Sequence, residues 1–138
     1  DRKAQGAYQP RLVELYGATR LLFQDVTTKD PCKQHFMIFS DHVEFDRVSC
    51  LAPPSLSSAV VNGTAGPSHN TDGINIYGEP AYIHDCYIST GDDNVAFHAS
   101  NTLVENNYFG YGHGCSVGSV LPTQRLRGIR MVNSTFNR

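Results

Sequence analysis

Apolar and polar residues alternate along this chain in short strings that return at regular intervals. Five strings share one form: Phe23-x-Asp25-Val26, Phe45-x-Arg47-Val48, Ile83-x-Asp85-Cys86-x-Ile88, Val104-x-Asn106-Asn107-x-Phe109 and Met131-x-Asn133-Ser134-x-Phe136. Their first residues are separated by 22, 38, 21 and 27 positions. Period-two alternation predicts strands and argues against helices as the main element. A repeat near twenty residues is the mark of a solenoid. The segment Arg11 to Phe23 also carries apolar positions at helical spacing, but its neighbours favour a strand.

A second short string follows in three repeats: Ile74-Asn75-Ile76, Val95-Ala96-Phe97 and Cys115-Ser116-Val117. Each coil therefore carries at least two short strands joined by a polar turn. The fold class expected is all-β, a parallel β-helix whose core is a stack of inward-facing apolar residues. The domain expected is one partial β-helix over residues 1–138. The long interval holds residues 52–68, rich in Pro, Ser and Gly, which read as a loop pushed out of one coil.

Aligning the second strings places Asp72, Asp93 and His113 two positions before Ile74, Val95 and Cys115, at steps of 21 and 20 residues. Stacked strands lie ~4.8 Å apart, so these side chains are expected to form one outward-facing column, with Asp92 beside Asp93. Three carboxylates so close cannot all ionise at ordinary cost, and at least one should hold its proton to higher pH. A protonated acid beside ionised carboxylates is what glycoside cleavage requires. The spacing alone does not distinguish inverting from retaining geometry. Asp25, Asp85, Asn106 and Asn133 also recur in register, but in the turn after the first strand, where Asp and Asn ordinarily satisfy backbone groups. A Gly-Asp-Asp string alone is usually a turn, and it is the shared column in consecutive repeats that favours chemistry.

Composition changes this picture little. Apolar residues make up 40% and charged residues 17% of the 138 residues, an ordinary globular balance. A formal net charge of −2 gives no electrostatic case for nucleic acid. No apolar run approaches the ~20 residues of a membrane helix. Cys32, Cys50, Cys86 and Cys115 fit buried thiols or disulfides. The sequons Asn62-Gly63-Thr64 and Asn133-Ser134-Thr135 are compatible with secretion. The chain begins at Asp1 without a signal peptide and ends at Arg138 within a repeat, so it reads as an internal stretch of a longer protein. Uncapped coils at both ends would then expose strand edges and promote aggregation. His35, His42, His69 and His84 have no metal-ligand spacing, and His98 reads as a surface histidine. Tyr77, Tyr108 and Tyr111 fit aromatic ladders as well as sugar-stacking positions.

Asn70-Thr71-Asp72-Gly73, Gly91-Asp92-Asp93 and Gly112-His113-Gly114, the last followed by Cys-Ser-Val-Gly-Ser, resemble the signature segments of the polygalacturonase family, glycoside hydrolase family 28. The resemblance runs from about His69 to Val120. It implies a right-handed parallel β-helix of the pectin lyase-like kind. It also implies a secreted, monomeric parent that hydrolyses α-1,4-galacturonosyl bonds of plant cell-wall pectin with inversion, without metal or cofactor. By the same resemblance Asp92 is the general acid, Asp72 and Asp93 activate water, and His113 keeps the acid protonated and oriented. Many family members place Cys directly after Gly-Asp-Asp, paired to a Cys shortly before Gly-His-Gly; here Asn94 takes the first place and Phe109 to Tyr111 supply no partner. The family's Arg-x-Lys motif for the substrate carboxylate would follow Asn133-Ser134-Thr135-Phe136; Arg125, Arg127 and Arg130 lie too early to replace it, which predicts weak binding by this stretch alone. The alternatives are a rhamnogalacturonan or xylogalacturonan hydrolase, a calcium-dependent pectate lyase, and a non-catalytic β-helix carbohydrate-binding or adhesion module.

Overall fold

A computed structural model describes residues 8–53 and 68–137. Residues 54–67, most of the expected inserted loop and the Asn62 sequon, lie outside the described residues.

Thirteen strands follow in order: β1 (Val13–Gln24), β2 (Thr27–Lys29), β3 (Phe36–Asp46), β4 (Ser49–Leu51), β5 (Ile74–Ile76), β6 (Ala81–His84), β7 (Tyr87–Ser89), β8 (Val95–Phe97), β9 (Thr102–Glu105), β10 (Tyr108–Phe109), β11 (Cys115–Val117), β12 (Arg130–Val132) and β13 (Thr135–Phe136). All strand pairings are parallel. The described residues contain no helix, and none therefore that is long and apolar enough to cross a membrane. The segment with apolar positions at helical spacing is β1, a strand held by its pairing with β3. The chain winds as a parallel β-helix.

Each coil contributes to three strand stacks, one more than the two strings required. The first stack comprises the leading halves of β1 and β3, then β5, β8 and β11. The second comprises their trailing halves, then β6, β9 and β12. The third is β2, β4, β7, β10 and β13. In the first two coils one continuous strand serves both of the first stacks; later coils break it.

The turn between the second and third stacks is built the same way in every coil. Asp25, Arg47, Asp85, Asn106 and Asn133 all take left-handed backbone angles, with φ of 55°, 52°, 54°, 56° and 46°. Asp and Asn tolerate this conformation because their short polar side chains bond locally. Arg47 does not share that tolerance, and its guanidinium instead reaches Asp25 at 2.8 Å and Asp46 at 2.6 Å. The residue after each turns inward: Val48, Cys86 and Asn107 are buried there. Asn107 satisfies its amide by accepting from the Cys86 N–H and donating to the Ile83 carbonyl, each at 2.9 Å.

Period-two alternation sends Phe36, Ile38, Ile74, Ile76, Val95 and Phe97 inward from the first stack, Phe45, Ile83 and Val104 from the second, and Cys50, Ile88 and Phe109 from the third. Each fully buried Ile or Phe contributes roughly 1.5–3 kcal/mol relative to exposure. The four cysteines are free thiols. Burial pushes the Cys50 thiol up to about 12 and the Cys86 thiol up to about 11, so neither is a reactive thiolate.

Candidate active site

The acidic strip lies on the outer side of the first stack. Ile74 pairs with Val95 and Val95 with Cys115, so Asp72, Asp93 and His113, each two residues earlier, share one register. Backbone bonds carry the register up to these residues. The Gly73 N–H donates to the Asp93 carbonyl at 2.9 Å, and the His113 N–H donates to the Asp92 carbonyl at 2.9 Å. Gly73 is required beside Asp72 because a Cβ there would stand 2.5 Å from the Asn94 carbonyl oxygen and 2.6 Å from Ile88 Cγ2.

The three carboxylates have different surroundings. Asp72 is buried, and its Oδ1 has no hydrogen-bond partner among the described residues. Burial, reinforced by the negative charge of Asp92, pushes its carboxyl up to about 6. The Asn75 amide pulls weakly the other way, although no hydrogen bond of ordinary geometry joins the two.

Asp92 is surrounded by donors. Its Oδ2 accepts from the Asn70 N–H at 2.9 Å and its Oδ1 from the Asp93 N–H at 2.9 Å. His113 Nδ1 stands 3.1 Å from Oδ1, and His69 Nδ1 stands 3.9 Å from Oδ2. Asp93 accepts from Ser116 Oγ at 2.5 Å. The turns are tied to each other by Thr71, whose Oγ1 donates to the Ser68 carbonyl at 2.7 Å and accepts from the Gly91 N–H at 2.9 Å.

All four residues singled out in the sequence therefore converge, but the strip is less uniform than a plain outward column. Asp72 is covered, whereas the His113 side chain is 40% exposed. His98 departs from the surface reading: it is buried, its ring stacks on Tyr77 at 4.0 Å with 2° between planes, and its Nε2 lies 3.3 Å from Asn75 Oδ1. The position after each inward-facing strand end repeats from coil to coil, giving a ladder of Tyr16, Phe39, Tyr77 and His98 with ring separations of 4.5, 4.2 and 4.0 Å. Burial lowers the affinity of His98 for a proton. Sequence reasoning missed His69 and Ser116. Ser116 was legible in principle, since it is the outward residue of the string that carries Cys115. His69 was not, because a turn brings it to Asp92.

The ligand atoms of Asp92, Asp93 and His113 lie within 4.8 Å of one another, as do those of Asp46, His84 and Asp85. In both groups internal donors already occupy the carboxylates: His113 and Ser116 in the first, Gln24, Arg47 and His84 in the second.

The family model for Glycosyl hydrolases family 28 matches residues 1–138. The chain belongs to glycosyl hydrolase family 28. Among similar proteins, rhamnogalacturonase A of Aspergillus aculeatus is 28% identical over 119 residues, covering 85% of this chain and 24% of its own length. A polygalacturonase of Ralstonia nicotianae is 31% identical over 142 residues, covering 85% of this chain and 27% of its own. A polygalacturonase of Brassica napus is 36% identical over 101 residues, covering 70% and 22% respectively. The chain spans about a quarter of the length of these curated relatives.

Proposed function

We propose that the protein is a secreted hydrolase of pectin, cutting α-1,4-galacturonosyl bonds in cell-wall polygalacturonate. The observation that carries this reading is the convergence of Asp72, Asp92, Asp93 and His113 on one strip in three unlike environments. Asp92 protonates the leaving oxygen. His113, 3.1 Å away and open to solvent, holds and resupplies the proton. Asp72 and Asp93 orient and activate the attacking water. A carboxyl at about 6 is a stronger base than an ordinary carboxylate and is still ionised at neutral pH. Ser116 Oγ donates to Asp93 Oδ2 at 2.5 Å and fixes where that carboxylate points. Inversion and the absence of a metal requirement follow from the family resemblance. The exposed Asn133 sequon is in keeping with secretion.

The test uses the full-length natural protein. Asp92→Asn is expected to lower the release of reducing ends from polygalacturonate by about 10³-fold. An unchanged rate would instead favour a binding or adhesion module. Products bearing an unsaturated chromophore, formed only with calcium, would mean a lyase. The name of the Aspergillus aculeatus relative supports a second reading, rhamnogalacturonan hydrolysis at the same strip. Chromatography of products from homogalacturonan and from rhamnogalacturonan separates the two, and proton NMR of the first-formed anomer reports inversion or retention.

A further inference from the structure

We infer that Asn94 is a positioning residue that sets His113 against Asp92, acting in place of a covalent link between the Gly-Asp-Asp turn and the Gly-His-Gly loop. The inference rests on the catalytic reading of the strip given above.

Asn94 lies immediately after Asp93 and is buried, with 1% of its surface exposed. A buried amide needs hydrogen-bond partners to offset its loss of hydration. Asn94 finds one partner on the strand before it and the others one coil further on. Its Nδ2 donates to the Tyr111 carbonyl at 2.9 Å and to the Ile88 carbonyl at 3.0 Å. Its Oδ1 accepts from the Gly114 N–H at 3.1 Å, and its backbone N–H donates to the Gly114 carbonyl at 2.8 Å. One side chain thus grips the loop two residues before His113 and again one residue after it.

The loop is shaped to accept that grip. Gly112 has φ of 151°, and a Cβ there would stand 2.4–2.6 Å from the Asn94 amide, so only glycine permits the approach. With both flanks held, His113 has little freedom. Its N–H meets the Asp92 carbonyl at 2.9 Å and its Nδ1 meets Asp92 Oδ1 at 3.1 Å. Among the described residues none of the Asn94 hydrogen bonds touches a carboxylate of the strip, and three of them end on the loop that carries His113.

The experiment measures polygalacturonate hydrolysis by the full-length protein carrying Asn94→Ala, His113→Ala and both together. Asn94→Ala is expected to lower kcat about 100-fold with KM little changed, the cost of displacing a catalytic group by about an ångström. It should also shift the pH profile toward that of His113→Ala. In the His113→Ala background the second change should have almost no further effect, because both act through one group. Losses that multiply in the double variant, or wild-type kcat in a folded Asn94→Ala protein, would overturn the inference. Wild-type activity in His113→Ala alone would overturn the reading of the strip, and the inference with it. If Asn94→Ala does not fold, Gly112→Ala pushes loop and amide apart while leaving every hydrogen-bonding group in place. It should reproduce both the kcat loss and its disappearance in the His113→Ala background, and a wild-type rate there would equally overturn the inference.

Discussion

Two columns of polar residues climb this β-helix, and they do opposite things. The corner column, Asp25, Arg47, Asp85, Asn106 and Asn133, is exposed and bends the backbone into the left-handed region at one point per coil. Its side chains bond to one another or to neighbours in ordinary ways: Arg47 to Asp25 at 2.8 Å, and Asn133 to Asn106 at 2.7 Å. The strip column, Asp72, Asp93 and His113 with Asp92 beside it, gathers carboxylates in a partly covered place. Among the described residues one oxygen of Asp72 has no partner, and burial pushes its carboxyl up to about 6. Recurrence in register therefore signals structure where the polar groups are solvated and satisfied. On the proposed function, it marks chemistry where like charges are brought together out of water.

The contrast breaks most decisively at Asp72. Asp72→Asn is expected to cost about 10³-fold in hydrolysis. The same change should stabilise the fold at neutral pH by on the order of 2 kcal/mol, since it removes a buried charge whose pKa is raised from 3.8 to about 6. Steady-state assays and chemical denaturation at pH 7 check the pair of effects. Loss of stability on substitution would mean that Asp72 belongs with the structural column.

At the corner the expectation reverses. Asn106→Val forces a β-branched residue into the left-handed region at φ 56° and should destabilise by about 1–2 kcal/mol. Activity per folded molecule should not change. Denaturation curves paired with active-site-normalised rates measure this.

Ser116→Ala sharpens the strip itself. Loss of the 2.5 Å donor to Asp93 should reduce kcat about tenfold and leave the melting temperature nearly unchanged.

The smallest effect is in the pH dependence of stability. Asp72 has a raised pKa, so the folded state binds more protons than the unfolded state, and its contribution falls as pH rises from about 4 to about 6. His35 has the opposite sign. It is fully buried, accepts or donates at 2.7 Å with Thr28, and burial lowers it from 6.5 to about 4. The unfolded state therefore gains protons first on acidification, and the His35 contribution is lost as pH falls from about 6.5 to about 4. The two slopes oppose each other, so the wild-type profile should be shallow between pH 4 and 6. Asp72→Asn should expose the acid-side loss due to His35. The hydrolysis rate should fall as pH drops below about 6, where Asp72 takes up its proton.

The amino-acid sequence by itself determined the coil. Alternation of Phe23, Phe45, Ile83 and Val104 with polar neighbours sets which residues face inward, because side chains on a strand can point only two ways. The repeat of Asp and Asn at the corner marks where each coil turns. The twenty- and twenty-one-residue steps between Asp72, Asp93 and His113 follow from coil length alone. Only the tertiary structure decided how those four groups differ. Burial of Asp72, the Asn70 and His113 groups against Asp92, the Ser116 bond to Asp93, the approach of His69 and the cover over His98 all come from residues on other turns or coils. Their effects depend on distance and on exclusion of water, which no one-dimensional period encodes.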